Sequence, residues 1–340
     1  MTTQLYPDDY FGGPDKYNYE EDRKNEQRWL INEIIRPELP NIIDNVEKCI
    51  DMLFSDEIFK MPVSSGLNTD TTYPSIRGLV TRCGTDIIDF QMALHFPQFN
   101  KGKPTVYRMT AGQKYHLSQL DTIGKFLQHI LQLLEDLEVE QDCPTFINKF
   151  NQSLKLITQS INILQNPPQE LMFPFNNNTI MKQMFAQYEE LCESTHHEVS
   201  LELVVFKNEL NIDFRNLLKV TKKPWCEIDP KTGKSLVDKV RESLKSDRRK
   251  KLNEILQEHN IHLEEASLLN NIMISAFNKE STTLQQAQEF IARCITFDGK
   301  VVTECEKLQI TTSDPSLISI ASKLSALEHT ISNHFTNLEI

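Results

Sequence analysis

The chain has 340 residues, 39% hydrophobic and 25% charged, the proportions of an ordinary globular protein long enough to bury a real core. Its formal charge of −12 argues against a general nucleic-acid or anionic-membrane surface, because either needs phosphates neutralised locally. Ten glycines are few for dinucleotide folds, propellers or glycine-turn barrels, and no apolar run approaches the ~18 residues of a spanning helix.

Residues 1–22 carry Pro7, Gly12, Gly13, Pro14 and several tyrosines without periodicity, and they read as a flexible, acidic tail rather than a signal or transit peptide. A first helix follows to about Phe54, with Trp29, Leu30, Ile34, Ile35, Leu39, Ile42, Val46 and Leu53 as its apolar set. Pro37 and Pro40 mark a kink or restart within it. Met61 to Pro74, rich in Ser, Thr, Pro and Asn, reads as loop. From Arg77 the period changes to two: Phe90, Met92, Leu94 and Phe96 alternate with polar or small residues, and Thr105 to Met109 returns as a partner strand.

Lys114 to Gln165 is the most regular stretch. Leu120, Ile123, Leu127, Ile130, Leu134 and Leu137 step by three and four, and so do Ile147, Phe150, Leu154, Ile157, Ile161 and Leu164. The link between the two arms is short enough only for an antiparallel return, so the seams face each other. After a Pro and Asn loop, a short helix runs from about Thr179 to Ser194, and Val199 to Val205 then alternates into Leu210 to Phe214 across Lys207 and Asn208, a β-hairpin. Thr232 to His259 reads as a charged helix with a sparse stripe, and Leu263 to Phe277 and Leu284 to Phe297 as two more. A strand from Lys300 to Ile310 precedes a last helix, in which Leu317, Ile320, Leu324, Leu327, Ile331 and Leu338 are broken only by His334 after a start signal of Ser313, Asp314 and Pro315.

These elements imply an α+β fold: an elongated antiparallel helical bundle (23–56, 113–194 and 314–340), a separate small and mainly antiparallel β domain (76–112, 195–224 and 299–313) built on one sheet, and a helical insertion (225–298) in that domain. The seven cysteines are odd in number and widely spaced, which fits reduced thiols in a cytosolic protein.

Motifs for chemistry are weak. Gly233, Lys234 and Ser235 look like the end of a phosphate-binding loop, but its first glycine would fall at Ile228 and no strand leads in, so a lysine-bearing turn is the better reading. Glu193 with His196, and His259 with His262, have ligand-like spacing without a supporting cluster. No catalytic, cofactor or metal residue is assigned. Two charged clusters remain as partner-binding candidates. Arg248, Arg249, Lys250 and Lys251, next to Lys245, form either the solvated face of a long helix or a docking patch for an acidic partner. Glu135, Asp136 and Glu138 belong to an acidic cluster at the hairpin tip, and Glu135 and Asp136 lie where carboxylates oppose the helix dipole, so the tip is either simply solvated or a contact for something basic.

The order of parts carries a resemblance. Arg28, Trp29 and Leu30 open the first helix; Cys83, Gly84, Thr85 and Asp86 lead into an alternating strand; Tyr115 to Leu137 is leucine-rich; the Val199 to Val220 hairpin and the Leu317 to Leu338 helix close the chain. In this it resembles the Rogdi family of leucine-zipper homologues, and its fungal branch, the small subunit of the RAVE complex, over roughly 26–224 and 299–340. That resemblance implies a non-enzymatic, cytoplasmic assembly factor without a cofactor or transmembrane segment, associating with vacuolar and endosomal membranes through partners. The partners it implies are a large propeller-containing RAVE subunit, a Skp-type adaptor, and stalk subunits of the detached peripheral sector of the vacuolar H+-ATPase, whose reassembly with the membrane sector the family promotes. The alternative from the residues is a coiled-coil adaptor or vesicle-tethering protein whose seams open to another chain, with a nucleotide-dependent transferase using Lys234 behind it.

Overall fold

Apolar residues stepping by three and four cannot be buried by one helix, and in the computed structural model the segments that carry them close on one another. The structure describes residues 19–66, 72–195, 197–247, 249–259, 261, 263–264 and 282–339. The chain divides into two units, one of residues 1–56, 118–165 and 315–340, the other of 57–117 and 166–314.

In the first unit, α1 (Tyr19–Trp29) continues through a π-helical turn, Leu30–Ile35, into α2 (Arg36–Phe54), and α3 (Ser118–Val139), α4 (Cys143–Gln165) and α10 (Pro315–Leu338) complete the set. The helices touch in the cycle α2, α3, α4, α10 and back to α2, so each seam has a neighbour on both sides. Leu120, Ile123, Leu127, Ile130, Leu134 and Leu137 are all fully buried. On α4 the seam is turned slightly from its expected line. Phe146, Ser153 and Ser160 point inward while Ile147 and Leu154 are half-buried, and the two serines satisfy their hydroxyls on Lys149 and Leu156 carbonyls one turn back.

The first helix departs further. Residues 19–22, expected in the tail, are already helical, and the rest of that tail, 1–18, lies outside the described residues. The extra residue of the π turn shifts the inward face to Ile31, Ile35, Leu39, Ile42, Val46, Cys49 and Leu53. Trp29 and Ile34, expected in the core, are left 57% and 36% exposed. Pro37 stands in the first turn of α2 and Pro40 inside it without breaking it.

In the second unit the strands form two main antiparallel sheets, not one. The first contains β1 (Ile58–Ser64), β2 (Ser75–Cys83), β3 (Asp86–His95), β4 (Thr105–Arg108) and β5 (Tyr115–His116); the second runs β10 (Cys294–Phe297), β11 (Lys300–Thr312), β7 (Glu209–Lys219), β6 (His197–Phe206). Phe90 of β3 and Tyr107 of β4 meet Phe214 of β7 and Phe185, with ring centroids 5.4 to 6.2 Å apart, which is where the two sheets pack. The hairpin at Lys207 and Asn208 turns with both residues at positive φ, as a two-residue connection requires.

Several elements differ from expectation for local reasons. Residues 58–64, partly inside the loop expected from Met61 to Pro74 on its Ser, Thr, Pro and Asn content, form an edge strand, and the Pro62 carbonyl accepts the Thr312 hydroxyl at 3.0 Å. The expected 179–194 helix breaks into α5 (Thr179–Met184) and α6 (Tyr188–Thr195), because Phe185 turns to extended backbone to enter the aromatic core, and both fall in the second unit. The expected 232–259 helix is α7 (Leu236–Ser246) and α8 (Leu252–Glu258). In the segment that follows, Leu263–Glu264 is a short strand, β8, paired with β9 (Thr282–Thr283), and α9 (Leu284–Arg293) gives way to β10 at Cys294. Residues 265–277 of the expected Leu263 to Phe277 helix lie outside the described residues. The inserted block has its own core, with Trp225 fully buried and stacked on Phe290 at 5.0 Å among Val237, Val240, Ile255 and Leu256.

Candidate partner-binding surfaces

The hairpin tip is built by the shortness of its link. Asp142 accepts the Thr145 backbone N–H at 3.1 Å and its hydroxyl at 2.6 Å, which caps α4 and holds the Asp142 carboxyl below its usual range. Arg36 of α2 donates to the Glu140 carbonyl, fastening the tip to the next helix, and lies 5.9 Å from the centre of the Phe146 ring. Lys149 bridges Asp136 at 3.2 Å and Glu140 at 3.4 Å, and the Asp136 hydrogen bond raises its pKa. Of the three candidates at the tip, Asp136 is thus ion-paired. Glu135 and Glu138 are exposed and have no ionic partner among the described residues, and Val139 beside them is 76% exposed.

The described basic candidates, Arg249, Lys250 and Lys251, sit in the link between α7 and α8, not on the face of one long helix. Helix α7 ends because Asp247 adopts extended backbone and its carboxylate accepts the Arg249 N–H at 3.0 Å, a local bond that competes with helix continuation. Lys250 pairs with Glu258 at 2.6 Å, the Lys251 backbone N–H donates to Glu254 at 3.2 Å, and Arg249 is exposed. Arg248 lies outside the described residues. The acidic and basic candidates belong to different units.

The remaining motifs are absorbed by structure. Gly233, at φ +68°, makes a turn, Ser235 closes a capping box with Asp238 at the start of α7, and Lys234 pairs with Glu242 at 2.5 Å. His196 and His262 lie outside the described residues, while Glu193 is exposed on α6. Among the described residues no group of three or more His, Cys, Asp or Glu could hold a metal ion, and no helix is long and apolar enough to cross a membrane.

Sequence reasoning missed a charged network on the outward face of the second sheet. Asp213 takes Arg215 at 2.6 Å and Lys307 at 3.1 Å, Arg215 also takes Glu304 at 2.6 Å, and the Phe173 ring lies 4.3 Å from the Arg215 guanidinium. Burial raises both Asp213 and its cross-strand neighbour Glu202. The polar half of the alternation, Ser200, Glu202, Asp213 and Arg215, was its only trace in the sequence.

Fold and surfaces together define a two-unit α+β protein with an exposed charged segment in each unit. The chain belongs to the Rogdi leucine zipper containing protein family, whose model matches residues 26–339. It is similar to the regulator of V-ATPase in vacuolar membrane protein 2 of Saccharomyces cerevisiae, with 47% identity over 342 residues that cover 99% of this chain and 97% of the relative. The matched region includes the inserted block 225–298.

Proposed function

We propose that this protein is a non-enzymatic assembly factor that binds the detached peripheral sector of the vacuolar H+-ATPase and promotes its return to the membrane sector. The observation that carries the reading is the end-to-end likeness to a protein named as a V-ATPase regulator. The burial of the leucine seams inside the first unit supports it against the adaptor reading, which needs those side chains for a second chain. Its partners are the large propeller-containing RAVE subunit, a Skp-type adaptor and stalk subunits of the peripheral sector, and it works in the cytoplasm with peripheral association at the vacuolar membrane through them.

The mechanism is one of proximity. A protein that holds the propeller subunit and the free sector together raises their effective concentration for re-docking without any bond chemistry. The acidic tip, Glu135, Asp136 and Glu138, and the basic link, Arg248 to Lys251, are its two contact surfaces. Immunoprecipitation from cytosol tests this: the propeller subunit and at least one stalk subunit are expected in the eluate, and recovery of neither refutes the reading.

A further inference from the structure

The first sheet turns one face to the core, through Met61, Val80, Phe90 and Tyr107, and the other away from it. Strand register places the outward residues in rows. Arg77, Ala93 and Val106 form one row, Leu79, Gln91 and Arg108 the next, and Lys60 with Asp89 a third. The face is uncovered: Val106 is 47% exposed, Lys60, Arg77, Asp89, Gln91 and Arg108 are exposed, and Leu79 and Ala93 are half-buried between them. Its charge runs against that of the chain, which has 48 acidic residues to 36 lysines and arginines. Lys60, Arg77 and Arg108 nevertheless form no ion pair among the described residues, and Asp89 is the one carboxylate in these rows. The outward face of the second sheet does the opposite, pairing Asp213, Arg215, Glu304 and Lys307 with one another.

We propose that the outward face of the first sheet docks a short acidic, partly apolar segment of a partner protein. Charge complementarity selects the sign, since a carboxylate on the segment meets a cation that no group of this chain already holds. Arginine takes a carboxylate in a two-pronged fork, and Leu79, Ala93 and Val106 offer apolar surface between the forks. The strand spacing and rise put the Cα atoms of Lys60, Arg77 and Arg108 about 12 to 16 Å apart, which suits charges spread along a chain rather than one point anion. Four strands by three rows cover on the order of 200 Å² in plan, well below the ~800 Å² per partner of a standard interface, so the occupant is a linear segment and its affinity is weak. A nucleic acid or an anionic bilayer would bring the other charges of a −12 chain against its phosphates. The face lies on different elements from the tip and the α7–α8 link, and its test requires neither.

The test is fluorescence anisotropy on the purified full chain with three labelled probes: a capped peptide of about eight residues alternating glutamate with leucine or valine, the same peptide with glutamine for glutamate, and an oligothymidylate of similar length. Flotation with phosphatidylserine-containing vesicles is the fourth arm. The glutamate peptide is expected to bind saturably, with a dissociation constant on the order of 10 to 100 µM, and the glutamine peptide at least tenfold more weakly. Arg77→Glu and Arg108→Glu, at exposed and unpaired positions, should each weaken the glutamate peptide at least threefold and together more than tenfold. Arg77→Gln with Arg108→Gln, which removes charge without adding any, should also weaken it in a chain that melts with the parent. Val106→Ser should weaken it and Asp89→Asn tighten it. Lys231→Glu, an equal change in net charge at an exposed position outside this face, should leave it within twofold. Equal binding of the glutamine peptide, an affinity unmoved by the arginine variants or moved as far by Lys231→Glu, no saturable binding, or binding of the oligonucleotide or vesicles in place of the peptide overturns the proposal.

Discussion

Arg82 and Asp314 show what a single buried contact does here. Both are fully buried, their side chains joined at 2.5 Å and 3.1 Å, with a further guanidinium N–H donated to the Gly84 carbonyl and the Phe59 ring 5.0 Å away. Removing one member leaves the other's charge in the interior, which costs about 3–5 kcal/mol. Arg82→Ala and Asp314→Ala should each lower the urea midpoint accordingly, with Arg82→Lys in between because it keeps the charge and loses the fork. Midpoints unchanged from the parent would show that water reaches the pair. Cys49 makes a different point. Burial pushes its thiol up to about 11, with Lys323 drawing it part of the way back. In the unfolded chain the thiol ionises near its ordinary value of 9.0 while the folded one keeps its proton, so its contribution to stability is complete below pH 9 and is lost between there and about 11. Denaturation from pH 8 to 11 should therefore show a shallower alkaline decline in Cys49→Ala than in the parent. Alkylation of the native protein at pH 8 should spare Cys49, and rapid labelling there would contradict the burial.

At the scale of elements, the deciding quantity is how closely two backbones approach. A Cβ added to Gly78 on β2 would run into the Gln91 carbonyl and the Met92 Cα and side chain at 2.8 Å on β3, and the two backbone atoms among these cannot turn away. On α3, one added to Gly124 would meet the Phe54 ring instead, and that side chain is partly exposed and free to move. Gly78→Ala is thus expected to cost more than the roughly 1–3 kcal/mol of ordinary overpacking, and Gly124→Ala less than that, by thermal or urea denaturation. Equal losses would mean the strands separate as readily as the ring. Leu127→Ala, at the centre of the bundle, should cost about 2–5 kcal/mol through the cavity it leaves. The same contrast explains what was legible in the chain. Seams such as Leu120 to Leu137 repeat often enough that burial on one face is the only solution, and the Val199 to Phe214 alternation is equally redundant. Where one residue changes the outcome, repetition is silent: the π turn at Leu30–Ile35 rotates Trp29 out, Phe185 splits a helix, and Pro62 hides a strand by sitting on its edge. The charged face around Asp213 was unreadable for a related reason, since alternation tells which residues share a face but not whether that face is covered.

For the molecule as a whole, charge reversal at the two candidate surfaces tests association apart from stability. Glu135 and Glu138 are exposed and unpaired among the described residues, so reversing them should leave folding intact. If the tip meets a basic surface on a stalk subunit, Glu135→Lys with Glu138→Lys introduces like-charge contact there. Capture of the peripheral sector should then fall several-fold while the melting temperature stays within a degree or two. Arg249→Glu with Lys251→Glu in the α7–α8 link tests the basic candidate in the other unit, and Arg249, exposed there, should likewise be reversible without loss of folding. Raising salt from 50 to 300 mM should weaken capture by the parent more than by the tip variant, because screening acts on the charges that remain. If the tip variant captured the peripheral sector as well as the parent at low salt, Glu135 and Glu138 would be solvated carboxylates and nothing more. The recognition of that sector would then have to lie on another face.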